Sequence, residues 1–506
     1  MDTDRQFHYK NELSRRQFLK TVGKVATGIG LGGILSTGCS PGILSQRGNK
    51  LNAILIVDDT LRADHLGCYG YHRNTSPSID KFASNNIFFE NAFTVSPKTY
   101  TSMPALFTGL YPMNSGMIDT RQWMQNDELE SFVEVLPKNY ERFAVVSNPW
   151  LTRNRGYKWF SMGNFQCIPE YVQGEVSEVG LEWLKKRDSK KPFFLWLHYF
   201  NPHGPYTPVG AFNEMFVEDS FYDPTKKLHF EYLGDDLKAF LKLDEGKTPL
   251  IGYVPYINGK DNPDYYIAQY DAEIRQTDTE IGKIFNFLKE SGLTDNTMIV
   301  FTSDHGESLG ENNCFCDHGN LVDNANIRIP LLISHPDIKS PQRINSLIEN
   351  VDISPTILSE LGLKFSNKVD GMNFSYVYHD KTPDAKFREF FHSSTPQVYA
   401  GHYRTVGTLT RKLIVRDKMV LLNEPDFSRK FADIEALHHS YDLPDANRFY
   451  DISERKLDIN ENRITPTEEE LLKEIKKIGK FWGFADSVVP PMSEEEKRRL
   501  KGLGYL

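Results

Sequence analysis

Unbroken apolar runs of strand length punctuate the chain. The first, Asn52-Ala53-Ile54-Leu55-Ile56-Val57, is rich in β-branched residues, the pattern of a parallel strand buried on both faces. Similar runs recur at 143–146, 193–197, 298–301 and 329–333. Between them the period lengthens. From Tyr270 to Ser291, the residues Ile274, Ile281, Ile284, Phe285 and Leu288 share one helical face. Strands alternating with helices predict an α/β fold, a three-layer sandwich around a mostly parallel central sheet. In such sheets chemistry gathers beyond the carboxyl ends of the strands. Asp58-Asp59, Asn201-Pro202-His203 and Ser303-Asp304-His305 all fall there.

The texture changes near residue 385. Shorter alternating segments follow at 412–415 and 419–422, then a charged helix opened by Thr467 with Glu470 as a capping pair. The expectation is a catalytic domain over 51–385 and a small C-terminal α+β subdomain over 386–506. Residues 208–264 carry aromatic and charged side chains without a clear period, which suggests an insertion near the cleft. At 506 residues there is room for both units, and the aromatic content (Phe 33, Tyr 24, Trp 6) suits a large core and a walled cleft. The net charge of −9 leaves no basic stripe for a nucleic-acid partner.

The first 39 residues are an address rather than fold. Ser14-Arg15-Arg16-Gln17-Phe18-Leu19-Lys20 looks like a twin-arginine export signal, followed by a Gly-rich apolar stretch too short to span a membrane. Ser36-Thr37-Gly38-Cys39 resembles a lipoprotein cleavage box, although Ser36 stands where Leu or Val is usual. Cys39 is therefore the candidate lipidation site, with 40–50 as a tether. The reading is of an exported, periplasmic or membrane-anchored protein that touches the membrane only through that lipid. Cys68, Cys167, Cys314 and Cys316 remain, and four cysteines allow three pairings.

Asp59, Asp304 and His305 are metal-ligand types at equivalent strand ends. The imidazole leans toward zinc or manganese and the carboxylates toward calcium or magnesium. Ser102-Met103-Pro104 reads as a helix start capped by Ser102, which leaves Thr99 in the loop ahead of it. A cation beside Thr99 would make its alkoxide accessible. Ser102 is a rival nucleophile, but a capping role suits it better. His203 and His318 can hold oxygens of a transferred group or protonate a leaving oxygen. His198, His335, His438 and His439 are read as locally bonded residues, and Cys314-Phe315-Cys316 as structural.

These residues resemble the sulfatase family of the alkaline phosphatase superfamily. The likeness rests on the stretch from Asp59 to Gly70, on Ser76-Pro77-Ser78-Ile79-Asp80 and on Leu106-Phe107-Thr108-Gly109-Leu110-Tyr111-Pro112. It continues at His203-Gly204-Pro205-Tyr206, Thr302-Ser303-Asp304-His305-Gly306-Glu307 and Val351-Asp352-Ile353-Ser354-Pro355-Thr356. The resemblance implies an alkaline-phosphatase-like fold and one divalent metal (calcium, zinc or manganese) on Asp59, Asp304, His305 and Thr99. Asp58 is a further candidate ligand. It also implies catalytic roles for Thr99, His203 and His318, the last in the place of a family lysine.

The chain departs from the family where the nucleophile sits. Counting back from Thr108-Gly109, the slot that carries the formylglycine cysteine holds Thr99, and the arginine slot holds Met103. Thr60 fills the position of a frequent second carboxylate. No formylglycine is expected. A sulfated threonine cannot release sulfate by eliminating a second hydroxyl, whereas a phosphorylated threonine can be attacked in line by water. Phosphoester hydrolysis of a small-molecule, glycan or lipid ester is therefore the preferred expectation. A sulfuric ester hydrolase, a phosphoethanolamine- or phosphoglycerol-type transferase and a non-catalytic glycan-binding relative are the alternatives.

Overall fold

The computed structural model describes residues 51–117, 129–148, 164–167, 175–217, 219–226, 262–311, 314–319, 321–382, 387–395, 402–417 and 448–451, with short pieces at 151, 250–251, 254–255, 260, 470–471 and 473–474. The export segment, tether, Cys39, the run 419–422 and Thr467 lie outside the described residues.

The main sheet comprises β1 (Asn52–Asp58), β2 (Ile87–Phe93), β3 (Glu141–Val146), β4 (Asn164–Cys167), β5 (Phe193–Tyr199), β6 (Thr297–Ser303), β7 (Arg328–Ser334) and β8 (Gln342–Glu349). The order is β8-β2-β7-β6-β1-β5-β3-β4. β1 pairs in parallel with β5 and β6, as its two-sided apolar run requires. The run 329–333 is equally apolar, yet β7 lies antiparallel to both β6 and β2. Apolar continuity reports burial on both faces, not strand direction. β2 and β8 escaped the pattern because Glu90-Asn91 and Arg343 interrupt their apolar positions.

Helices α1 (Pro77–Asn85), α2 (Thr99–Thr108), α3 (Glu175–Lys186), α4 (Pro263–Glu290) and α5 (Ile353–Glu360) cover the two faces. Alternation along β1 feeds both cores. Ala53, Leu55 and Val57 pack with Met103, Phe107 and Ile357 on one face. Ile54 and Ile56 pack with Ile79, Leu184, Ile274 and Ile281 on the other. Helix α4 starts earlier than its apolar period suggests. Asn262 caps it by accepting the Asp264 N–H, and Pro263 occupies the first turn.

A second, antiparallel sheet of β9 (Phe391–Ser394), β10 (His402–Gly407), β11 (Arg411–Asp417) and β12 (Arg448–Asp451) follows. It docks on the first through Phe391, whose ring stacks on Phe93 with centroids 4.0 Å apart. The Ser394 N–H also donates to the Val95 carbonyl at 3.0 Å. Among the described residues no helix is long and apolar enough to cross a membrane. Cys68, Cys314 and Cys316 are free thiols.

Candidate active site

Register brings the site together. Asp58 stands opposite Tyr199 on β5 and Ser303 on β6, so the residues that follow all leave the sheet at one edge. Thr60 turns the chain there with φ +58°, a costly conformation for a β-branched residue. It is held by Tyr270 of α4, whose hydroxyl donates to the Thr60 carbonyl at 2.8 Å and accepts the Arg62 N–H at 3.1 Å. The turn aims the Thr60 N–H at Asp304 Oδ1, 3.1 Å away. Gly306 lets the other loop close, because a Cβ there would lie 1.8 Å from the Ala325 carbonyl oxygen.

Helix α2 begins three residues before the expected cap. Lys98 is the N-cap and Thr99 the first helical residue; Ser102 lies inside the helix. The Ser102 hydroxyl donates to the Asp304 carbonyl at 2.6 Å and accepts from Thr94 and Asn350. It is a strut between α2 and the Asp304 loop. Pro104 is tolerated in the interior of this short, wholly buried helix. Thr99 thus sits at the positive end of the helix dipole, where an anionic ester is favoured.

Asp59, Asp304 and His305 are fully buried and place one ligand atom each within 4.8 Å of the others. The His305 Nδ1–H donates to the Gly306 carbonyl at 2.9 Å, so Nε2 presents its lone pair. That Nε2 lies 3.1 Å from Thr99 Oγ1, 3.4 Å from Asp304 Oδ2 and 4.0 Å from Asp59 Oδ1. Asp59 Oδ1 and Asp304 Oδ2 are buried without a hydrogen-bond partner. Burial and mutual repulsion hold Asp59 well above the usual carboxylate range, and burial raises Asp304. Such unmet negative charge around an imidazole lone pair fits a divalent cation. Asp58 is also buried and unpartnered, yet it lies outside this cluster.

Three imidazoles line up beside the cluster. His305 and His318 have centroids 4.6 Å apart, and His318 and His203 4.8 Å. His203 donates Nδ1–H to the Gly204 carbonyl at 2.6 Å, while His318 Nδ1 pairs with Glu307 at 3.1 Å. Burial holds the pKa of both well below the usual histidine value.

Sequence reasoning missed three members. His198, read as locally bonded, is fully buried with Nε2 3.9 Å from Asp59 Oδ2, and burial lowers its pKa to about 4. Asn148 donates to Asp59 Oδ2 at 2.5 Å; its signal was the polar step after the apolar run 143–146. Lys98, beside the Thr99 slot, is 3% exposed, and burial lowers its pKa to about 8. His335, read in the same way as His198, belongs to a second cluster with Glu360 and His379.

A family model described as Sulfatase matches residues 51–363. An arylsulfatase of Clostridium perfringens is 23% identical over 402 residues, covering 68% of this chain and 81% of its own. A protein solved in complex with its substrate D-glucosamine-2-N,6-O-disulfate shares the fold with a TM-score of 0.63 at 19% identity, over 85% of this chain and 98% of its own. A phosphonate monoester hydrolase from Silicibacter pomeroyi gives 0.61 at 18% identity, over 85% and 94%.

Proposed function

The chain belongs to the sulfatase family and is an ester hydrolase of the alkaline phosphatase superfamily; from that premise we propose that it cleaves phosphate esters in preference to sulfate esters, with Thr99 as nucleophile. One observation carries the reading. In the slot where the family places formylglycine, a threonine hydroxyl lies 3.1 Å from His305 Nε2, inside the carboxylate–imidazole cluster.

Asp59, Asp304, His305 and Thr99 Oγ1 would hold one divalent cation (calcium, zinc or manganese). When bound, such an ion lowers the pKa of a neighbouring hydroxyl and offsets charge on the transferred group. Thr99 Oγ1 attacks phosphorus as the ester P–O bond breaks, and the proton it gives up is taken by a neutral imidazole, His203 or His318, which passes it to the leaving oxygen. Water then attacks the phosphothreonine and releases phosphate. Asn148 orients Asp59 through its amide, and the Thr60 N–H orients Asp304.

The substrate class is a small-molecule, glycan or lipid ester. Sulfate ester hydrolysis is the second reading, supported by the arylsulfatase likeness. Assays of aryl phosphate mono- and diesters beside aryl sulfates separate the two, and sulfate release outrunning phosphate release reverses the preference. Turnover of none, under any divalent metal, returns the chain to a glycan-binding role. Transfer to an acceptor hydroxyl in place of water marks the transferase alternative. We also propose export by the twin-arginine route with lipid on Cys39. A Cys39→Ser variant that stays membrane-bound after export would refute the anchor.

A further inference from the structure

Resting on the metal centre proposed above, we propose that it is built for a four-coordinate cation of the zinc class and turns calcium away, with Asn148 as the residue that sets this choice. Donor number decides it. Calcium takes roughly six to eight oxygen ligands and gains from carboxylates that bind through both oxygens. Here each carboxylate presents one. Asp59 Oδ2 accepts the Asn148 amide at 2.5 Å and lies 3.9 Å from His198 Nε2. Asp304 Oδ1 accepts the Thr60 and His305 N–H groups at 3.1 and 2.8 Å. That leaves Asp59 Oδ1 and Asp304 Oδ2, the two oxygens buried without a hydrogen-bond partner.

The third and fourth donors point the same way. His305 offers a neutral nitrogen, fixed by the bond from Nδ1–H to the Gly306 carbonyl, and imidazole suits zinc where calcium wants oxygen. Thr99 Oγ1 completes a set of three oxygens and one nitrogen. A tetrahedron with zinc bonds of about 2.0–2.1 Å has edges of about 3.3 Å. The separations from His305 Nε2 to Thr99 Oγ1, Asp304 Oδ2 and Asp59 Oδ1, at 3.1, 3.4 and 4.0 Å, bracket that edge. Among the described residues no further carboxylate or imidazole joins the group. Asp58 lies outside it, and Thr60 stands in the position of a second carboxylate without bringing a charge. Asn148, just past β3, takes the oxygen that Asp59 would need to chelate a larger ion.

The test starts from chelator-treated, metal-free protein, with zinc, calcium and cobalt salts as probes. Zinc should raise the melting temperature and survive dialysis, and calcium at far higher concentration should do neither. Calcium that displaces zinc, or that stabilises the protein as well at equal concentration, overturns the proposal. Binding of neither ion removes the centre and the inference together. Cobalt bound in place of zinc should give the intense visible bands of a four-coordinate ion, and the weak bands of a six-coordinate ion overturn the assignment. Asn148→Ala should lower zinc affinity by about 10- to 100-fold while calcium affinity holds or rises. An equal loss for both ions overturns the role given to Asn148. If that variant does not fold, the cobalt spectrum of the native protein still decides the coordination number. Zinc held tightly by a protein that releases sulfate faster than phosphate would sink the phosphoester reading alone.

Discussion

Two clusters in this protein carry the same kinds of ligand atom, and they have opposite electrostatic character. Asp59, Asp304 and His305 form one; His335, Glu360 and His379, the last on α6 (Ser375–His379), form the other. In the second, both oxygens of Glu360 face a partner. His379 Nε2 lies 2.8 Å away, His335 Nε2 3.1 Å, and the Tyr378 hydroxyl donates at 2.7 Å. Against burial, which raises it, His335 and His379 together lower the Glu360 pKa to about 2. His335 Nδ1 accepts the Asp337 N–H at 3.2 Å, so its Nε2 carries the proton and has no lone pair for a metal. In the first cluster the carboxylates are driven above their usual range, with two oxygens unpartnered. Ligand types alone do not make a metal centre; unmet charge and an exposed lone pair do.

The sharpest way to break the comparison is at Thr99. Thr99→Ala should lower turnover by at least about 10³-fold while bound metal and melting temperature stay near those of the parent. Ser102→Ala should instead cost about 1–2 kcal/mol of stability, since it removes the strut to the Asp304 carbonyl, and keep measurable turnover. Full activity in Thr99→Ala together with its loss in Ser102→Ala would assign the chemistry to the wrong hydroxyl.

A smaller effect, with an unusual sign, is expected at Asp304. Asparagine keeps an acceptor for the Thr60 and His305 N–H groups, now 3.1 and 2.8 Å from Oδ1. It also turns an amide donor toward His305 Nε2, 3.4 Å from the present Oδ2. Metal-free Asp304→Asn should therefore be more stable than the metal-free parent, by about 1–2 kcal/mol or roughly 2 °C in a chain this large. It should lose the extra melting temperature that a divalent cation confers on the parent. A metal-free variant less stable than its parent would mean that the cluster is not starved of positive charge.

Much of this centre was legible from strand ends. Asp59, Asp304 and His305 lie just past apolar runs; one polar residue there is ordinarily a turn or cap, but several at equivalent strand ends mark a site. Thr99 emerged by counting back from Thr108-Gly109 rather than from local chemistry. The start of α2 was misplaced because Ser102-x-Pro104 imitates a cap, while the actual N-cap is a lysine with no side-chain cap bond. His198 was hidden because it closes an apolar strand, where a satisfied core histidine is the ordinary expectation. Its neighbourhood is supplied by Asp59 and Asn148 on other elements, and only the parallel register of β1, β3 and β5 brings them together. Lys98 was hidden for a related reason: its surroundings come from Gly319 and Glu307, far along the chain.

The gentlest probe is pH, which should move the two clusters in opposite directions. A carboxylate whose folded pKa is depressed adds stability above its unfolded pKa and loses it as pH falls toward the folded value. For Glu360 that window runs from about 4.5 down to about 2, and the gap corresponds to about 3 kcal/mol at most. Glu360→Gln should thus lower stability at neutral pH, and its difference from the parent should shrink steadily through that window. Asp59 and Asp304 have raised pKa values, so in the metal-free protein their contribution is most favourable in acid and is lost as pH rises through the folded values. The stability gap between metal-free Asp304→Asn and its parent should accordingly widen with rising pH. Denaturant melts of both variants across pH 2 to 8 would read the two slopes, and slopes of the same sign would erase the distinction between a self-neutralised latch and a centre waiting for a cation.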